Sequence, residues 1–292
     1  MRPDRPDDPD VPPDRRDHQP AHTQAETRTR LEYYADLRIT VAREEAAAAR
    51  RATAQERSTS EKWQQEAAEF RSLWTEYQRK WPPEDRPPPD RNRSLDPADN
   101  SRVEAECDRI ADREDQRISP ALRAIESQDP DRHLVGFEHR LKARDRIKEK
   151  AYDGIKLLKH SPEDAVSLVP DTIRYTFQYG ESRYTQGVWT DIERLKGEFK
   201  LDKLKNYWTD DKYKGINSTW IDRDTGQRFE VQFHTRISYE AKQLTHTAYE
   251  RVRTRQANIF EELVLDAFQK KVSADVPVPP GAVDIPDYPE RG

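Results

Sequence analysis

Apolar residues fall at helical spacing over the first third of the chain and at strand spacing only later. Leu31, Tyr34, Leu37 and Val41, followed by the alanine run Ala46 to Ala49, predict a helix over about 26–56. A second begins near Ser60, a candidate N-cap, and sets Trp63, Ala67, Phe70, Trp74, Tyr77 and Trp81 at alternating spacings of four and three. That seam is narrow, and Pro82-Pro83 closes it. Residues 26–81 therefore predict an antiparallel helical hairpin, to dock on the rest of the chain or to present a surface to a partner, either a cognate inhibitor or an export factor. Residues 1–25 are rich in Pro and Asp and predict a disordered tail, and 82–100 a proline-rich linker.

From 101 to 272 the pattern becomes that of a compact domain. Val103, Cys107 and Ile110 mark a helix. Ser119-Pro120 reads as an N-cap and first helical position, and a basic helical stretch runs through 137–158. Thr172 to Tyr179 alternates and is β-rich, Val188, Ile192, Leu195 and Phe199 return to helical spacing, and strand-like pieces recur at 204–208, 216–221 and 227–234. Asp222 to Gly226 joins the last two as a turn, since Asp and Gly tolerate the angles a turn requires. Helices occupy about 236–272, and 273–292 is proline-rich and predicts a flexible tail. The order predicts an α+β fold with a mixed or antiparallel sheet flanked by helices.

Composition narrows the classes. With 33% hydrophobic and 37% charged residues, only part of the chain can build an ordinary core. The net charge of −5 argues against nucleic acid held by bulk charge. One cysteine, Cys107, leaves no disulfide framework and suits a small residue on a helix face. No run of about 18 apolar residues predicts a membrane span, and the charged start is not a signal peptide. The sequence thus leaves the location open: cytoplasmic, or exported by a route that needs no such signal.

Three groups of residues could carry chemistry. The strand 227–234 puts Phe229, Val231 and Phe233 on one face and Glu230, Gln232 and His234 on the other. Arg140, Lys142, Arg144, Arg146, Lys148 and Lys150 form a cationic run, which is either a solvated face or a grip for polyphosphate. Lys203, Lys205, Lys212 and Lys214 interleave with Tyr207, Trp208 and Tyr213, a mixture that suits a nucleotide or a plain surface loop, with Gly215 placed for close backbone approach. Asp171, ahead of the 172–179 strand, is either a turn residue or an oxygen ligand for Mg²⁺. No glycine-rich phosphate loop is present, so side chains must bind any nucleotide.

In order and spacing these residues resemble the RelA/SpoT synthetase domain, which is nucleotidyltransferase-like, over about 133–252. Arg140, Lys142 and Lys150 match an Arg-x-Lys motif with a further lysine; Asp171 and Arg174 match an aspartate leading a strand that holds an arginine. Lys205-Asn206-Tyr207, then Lys212, match a Lys-Asp-Tyr element and the lysine that follows it. Glu230-Val231-Gln232-Phe233-His234-Thr235 matches Glu-x-Gln-x-x-Thr, and Glu240, His246 and Tyr249 echo the closing helix.

The resemblance implies transfer of the β,γ-pyrophosphate of ATP to the 3′-hydroxyl of a purine nucleotide with Mg²⁺. Glu230 and Asp171 would be the catalytic and metal-binding pair. Arg140, Lys142, Arg146, Lys150 and Arg174 would hold the donor, and Lys205, Tyr207, Lys212, Lys214, Trp220, Gln232 and His234 the acceptor. The family's loop tyrosine, which stacks on the acceptor guanine, is replaced by Ile216, its loop asparagine by Lys214 and its closing histidine by Trp220. Those changes imply a relaxed or adenine-leaning acceptor, as in broad-acceptor nucleotide pyrophosphokinases. The alternative is a toxin of the same chemistry that depletes ATP or modifies tRNA 3′ ends.

Overall fold

A computed structural model describes residues 54–80, 94–253 and 257–289, which fall within one compact unit spanning 44–292. The expected tail at 1–25, the helix expected up to residue 53 and Trp81 lie outside the described residues, as does the linker between 81 and 93.

The helices are α1 (Ala54–Lys80), α2 (Pro97–Arg113), α3 (Ser119–Glu126), α4 (Arg144–Lys156), α5 (Pro162–Ser167), α6 (Tyr184–Glu198), α7 (Arg236–Arg253) and α8 (Ile259–Ala274). The strands are β1 (Arg132–Leu134), β2 (Arg174–Tyr179), β3 (Phe199–Asn206), β4 (Ile216–Asp222) and β5 (Arg228–Thr235). They form one mixed sheet in the order β1-β2-β5-β4-β3, with β2 and β5 parallel and the other pairs antiparallel. The fold is α+β, as the order of patterns predicts.

Register divides the side chains. One face carries the row Arg174, Glu230, Thr219, Lys203 and the row Thr176, Gln232, Asn217, Lys205. The other carries Phe177, Phe233 and Ile216, then Phe229 and Trp220, all fully buried. Helix α6 covers this apolar face through Tyr184, whose hydroxyl donates to the Phe233 carbonyl at 2.9 Å and whose ring meets Tyr179 edge-on. Helix α7 covers the polar face.

Local chemistry sets the boundaries. Asp96 caps α2, accepting from the Asp99 amide at 2.9 Å, with Pro97 at the first position. Asn258 and Glu261 form a reciprocal capping box at α8. The β4–β5 turn closes with the Gly226 amide donating to the Asp222 carbonyl at 2.8 Å, and its φ of 72° requires glycine.

Several expectations differ from what is observed. Residues 54–80 are helical throughout, so no turn falls between 56 and 60. Ser60 is mid-helix and donates to Glu240 instead of capping. Of the expected seam, the side chain described is that of Trp63; it is buried, with its indole nitrogen 3.4 Å from Asp275. Ser119 does not cap a helix either. A π-helical turn, Glu114–Ile118, joins α2 to α3, and the Ser119 hydroxyl bonds to Glu114. Residues 97–100, expected in the linker, begin α2.

The expected flexible tail is packed over 273–289. Val276, Ala282 and Ile285 are buried, and Tyr288 exchanges two backbone hydrogen bonds with Leu204 at 2.8 and 2.9 Å. Asn206 clamps this segment by donating to the carbonyls of Ala282 and Ile285, both at 2.8 Å. The segment thereby satisfies backbone groups on β3 that an edge strand would leave open.

Candidate active site

β-Pairing brings the two candidate carboxylates together. The Glu230 amide donates to the Ile173 carbonyl at 2.9 Å, so Glu230 stands beside the start of β2, two residues past Asp171. Arg174 is its direct cross-strand partner. Asp171 lies between two lysines, Lys142 at 2.9 Å and Lys150 at 2.9 and 3.0 Å. Lys142 is not helical: it precedes α4 in an extended piece where Leu141 bridges Ile173, and its amide donates to the Thr172 carbonyl. Two chain segments therefore converge on one carboxylate.

The electrostatics follow from this crowding. Burial pushes the Glu230 carboxyl above its ordinary range; Arg174 opposes the shift and Asp171 adds to it. Burial disfavours the Asp171 charge as well, but Lys142 and Lys150 outweigh it and hold that carboxyl below its usual value. Burial lowers Lys142, against the pull of Asp171.

Gln232 ties one oxygen of Glu230, its amide nitrogen donating to Oε1 at 2.6 Å. Lys242 of α7 in turn donates to Gln232 Oε1. The motifs did not single out Lys242. Its signal is helical spacing: Lys242, His246, Tyr249 and Arg253 recur at four, three and four along one stripe of α7. Burial lowers the His246 imidazole, with Arg174 and Lys242 adding to the effect. The Tyr207 hydroxyl is raised by burial and by Asp287 and then Glu230, so its half-exposed ring borders the cluster.

Other predicted residues stand elsewhere or are occupied. Arg140 does not face the cluster. Its Nε donates to buried Glu114 at 2.8 Å and its guanidinium lies 4.4 Å from the Phe137 ring centre, in a pocket shared with Tyr175 on the apolar face. Trp220 is fully buried on that same face, donating to Ser218 Oγ at 2.8 Å, because register pairs it with Phe229 and not with Glu230. Ile216 is buried there too.

His234 shares the Glu230 face but is sealed off. Nε2 meets Tyr213 Oη at 2.8 Å, Nδ1 meets Ser238 Oγ at 2.9 Å, and burial holds the ring neutral. Gly215 admits this ring and not a ligand: a Cβ there would lie 2.7 Å from His234 Cε1. Lys214 staples its own loop through the carbonyls of Trp208 and Asp210, and Lys212 pairs with Asp266 of α8. Arg146 is exposed and pairs with Glu149 at 2.6 Å and with Glu250 of α7 at 2.7 Å. Lys205 is half-buried in the row with Gln232. Cys107 is buried on α2.

Among the described residues no group of three or more His, Cys, Asp or Glu side chains gathers. Asp171 and Glu230 do offer two hard carboxylates, near enough that the Asp171 charge helps to raise Glu230. That fits Mg²⁺, which is held through one or two carboxylates, water and substrate phosphates and not in an all-protein cage. A cavity of about 820 Å³ lies at the opposite end of β2, around Gln178 and Gly180, away from this pair. No helix among the described residues is long and apolar enough to cross a membrane.

No protein-family model matches the chain, and no curated protein does. Solved structures do. Small alarmone synthetase 1 from Bacillus subtilis bound to its product pppGpp is 18% identical at a TM-score of 0.38, covering 52% of this chain and 80% of its own. A second structure of the same synthetase is 15% identical at 0.41, covering 60% and 88%. A GTP pyrophosphokinase family protein from Streptococcus pneumoniae is 15% identical at 0.41, covering 62% and 90%. A likeness this loose assigns no role to any residue.

Proposed function

We propose that this chain transfers the β,γ-pyrophosphate of ATP to the 3′-hydroxyl of a purine nucleotide. The observation that carries the reading is the balance of charge in one crowded spot: Lys142, Lys150, Arg174 and Lys242 gather around Asp171 and Glu230. A surplus of cations held near each other is unfavourable until a polyanion joins them. Phosphoryl transfer asks a protein mainly for such positioning and neutralisation.

In this reading Glu230 is the general base. Its raised pKa makes it a stronger proton acceptor than an ordinary carboxylate, and a positioned base contributes about 10²–10⁴ in rate. It takes the proton of the acceptor's 3′-hydroxyl as that oxygen bonds to the β-phosphorus of ATP. The bond between the β-phosphorus and the bridging oxygen breaks, and AMP leaves with the electron pair. Lys142, Lys150 and Arg174 hold donor phosphates, and Arg146, paired at the rim, can only join them by leaving Glu250. Lys205 and Tyr207 face the acceptor. Asp171 and Glu230 would hold Mg²⁺, which supplies charge neutralisation on the phosphate oxygens when bound.

Acceptor choice follows from what the base can touch. Ile216 is buried, and Tyr207 and the exposed Tyr249 supply rings. Stacking tolerates any base, because every base has a π-face. This supports relaxed or adenine-leaning choice. Incubation with ATP, Mg²⁺ and each of AMP, ADP, GDP and GTP, with products resolved chromatographically, should yield 3′-pyrophosphorylated adenine nucleotides at least as readily as guanine ones. No product from any acceptor would reject the activity; product from guanine nucleotides alone would reject the base preference.

A further inference from the structure

Lys242 sits mid-helix on α7, where a lysine ordinarily reaches into water. This one turns inward. Its Nζ donates to Gln232 Oε1 and lies 5.3 Å from the Tyr239 ring centre. Thr176 Oγ1 approaches the same Gln232 oxygen at 3.5 Å, and the Gln232 nitrogen donates to Glu230 Oε1 at 2.6 Å. An ammonium can only donate, a carboxylate can only accept, and an amide has one end of each kind. Lys242 and Glu230 therefore permit a single orientation of the Gln232 amide. A flip would set its NH₂ against the ammonium and its oxygen against the carboxylate.

We propose that Lys242 is a positioning residue for pyrophosphate transfer: through Gln232 it fixes the Glu230 carboxylate, leaving Oε2 for the acceptor's proton. The inference rests on the function proposed above and names a residue that the family's motifs do not include.

The charged and titratable groups facing Lys242 are Arg174 from β2, Glu230 and His234 from β5, and Tyr239 and His246 on its own helix. Burial and Arg174 bring the Lys242 ammonium down to about 7, while Glu230 pulls the other way. In the free site near neutral pH, Lys242 is therefore divided between ammonium and amine. The amine can accept as well as donate, so the lock on Gln232 loosens. A bound polyphosphate favours the ammonium, and binding should take up a proton.

Two substitutions separate positioning from packing. Lys242→Met should lower kcat about 10–100-fold, because the base is misplaced, with a smaller rise in KM for ATP, because the donor phosphates keep their other cations. Lys242→Arg keeps a donor-only cation that does not titrate, so it should retain kcat within about tenfold and move the alkaline limb of kcat/KM upward by at least a pH unit.

A third measurement needs no turnover. Calorimetry of α,β-methylene-ATP binding at pH 7.5, in buffers of different ionisation enthalpy, should show proton uptake by the wild type and none by either variant. Should Lys242→Met fail to fold, the pH profile of Lys242→Arg and its proton uptake decide. Wild-type protein that transfers no pyrophosphate overturns the proposed function. Active wild type with Lys242→Met turning over normally, or with Lys242→Arg keeping the wild-type alkaline limb and proton uptake, overturns the role of Lys242 alone.

Discussion

The two faces of the sheet each bury charge, and they do so in opposite ways. On the apolar face the buried charges are paired with opposite charges. Arg132 pairs with Asp191 at 2.5 Å while the Tyr179 hydroxyl donates to the same carboxylate at 2.6 Å, and Arg140 meets Glu114 with Tyr175 and Ser119 around it. On the polar face Lys142, Lys150, Arg174 and Lys242 crowd around Asp171 and Glu230, burial raises Glu230, and Lys242 is pressed down to about 7. A closed cluster holds the fold in one arrangement. An open cluster keeps electrostatic capacity for something not yet bound.

Glu230→Gln bears hardest on this contrast. It should cut transfer by about 10²–10⁴-fold, the worth of a positioned base. The same change should not cost stability. A carboxyl whose folded pKa is raised binds its proton more tightly folded than unfolded. Its contribution is therefore lost as pH rises through the folded pKa. The glutamine variant escapes that loss and should melt no lower than wild type at pH 8.

Arg140→Met tests the closed cluster. Removing one partner of a buried pair costs about 3–5 kcal/mol, so the melting temperature should fall sharply. KM for ATP in the folded fraction should stay within about threefold. A large rise in that KM would return Arg140 to the donor site. Smaller effects separate the two aromatic candidates. Tyr207→Ala should raise acceptor KM about tenfold, the lower end of base–aromatic stacking. Trp220→Phe should leave acceptor KM unchanged and cost about 1 kcal/mol of stability for the lost indole hydrogen bond to Ser218.

The sequence made some of this legible and hid the rest for physical reasons. Strand alternation placed Glu230 and Gln232 opposite Phe229, Val231 and Phe233, and the Asp222–Gly226 turn announced its hairpin. Trp220 was readable by the same rule, since Ile216, Ser218 and Trp220 share one parity along β4. The motif match points Trp220 to the acceptor, against that parity. Arg140 was not readable, because its partner Glu114 is 26 residues away on a π-helical turn that no periodicity reveals.

His234 has the right face but is covered by Tyr213 and Ser238, which is a tertiary fact. The packing of 273–289 likewise depends on Asn206 and the backbone of β3. Lys242 was visible only as a lysine at helical spacing from His246, a pattern equally typical of a solvated face.

The most direct test follows the label. ATP carrying γ-³²P is incubated with Mg²⁺ and an unlabelled purine nucleotide. The account predicts that label appears in a 3′-diphosphate ester of the acceptor, with one AMP formed for each label transferred. Labelled orthophosphate accompanied by ADP, with no labelled nucleotide product, would contradict it.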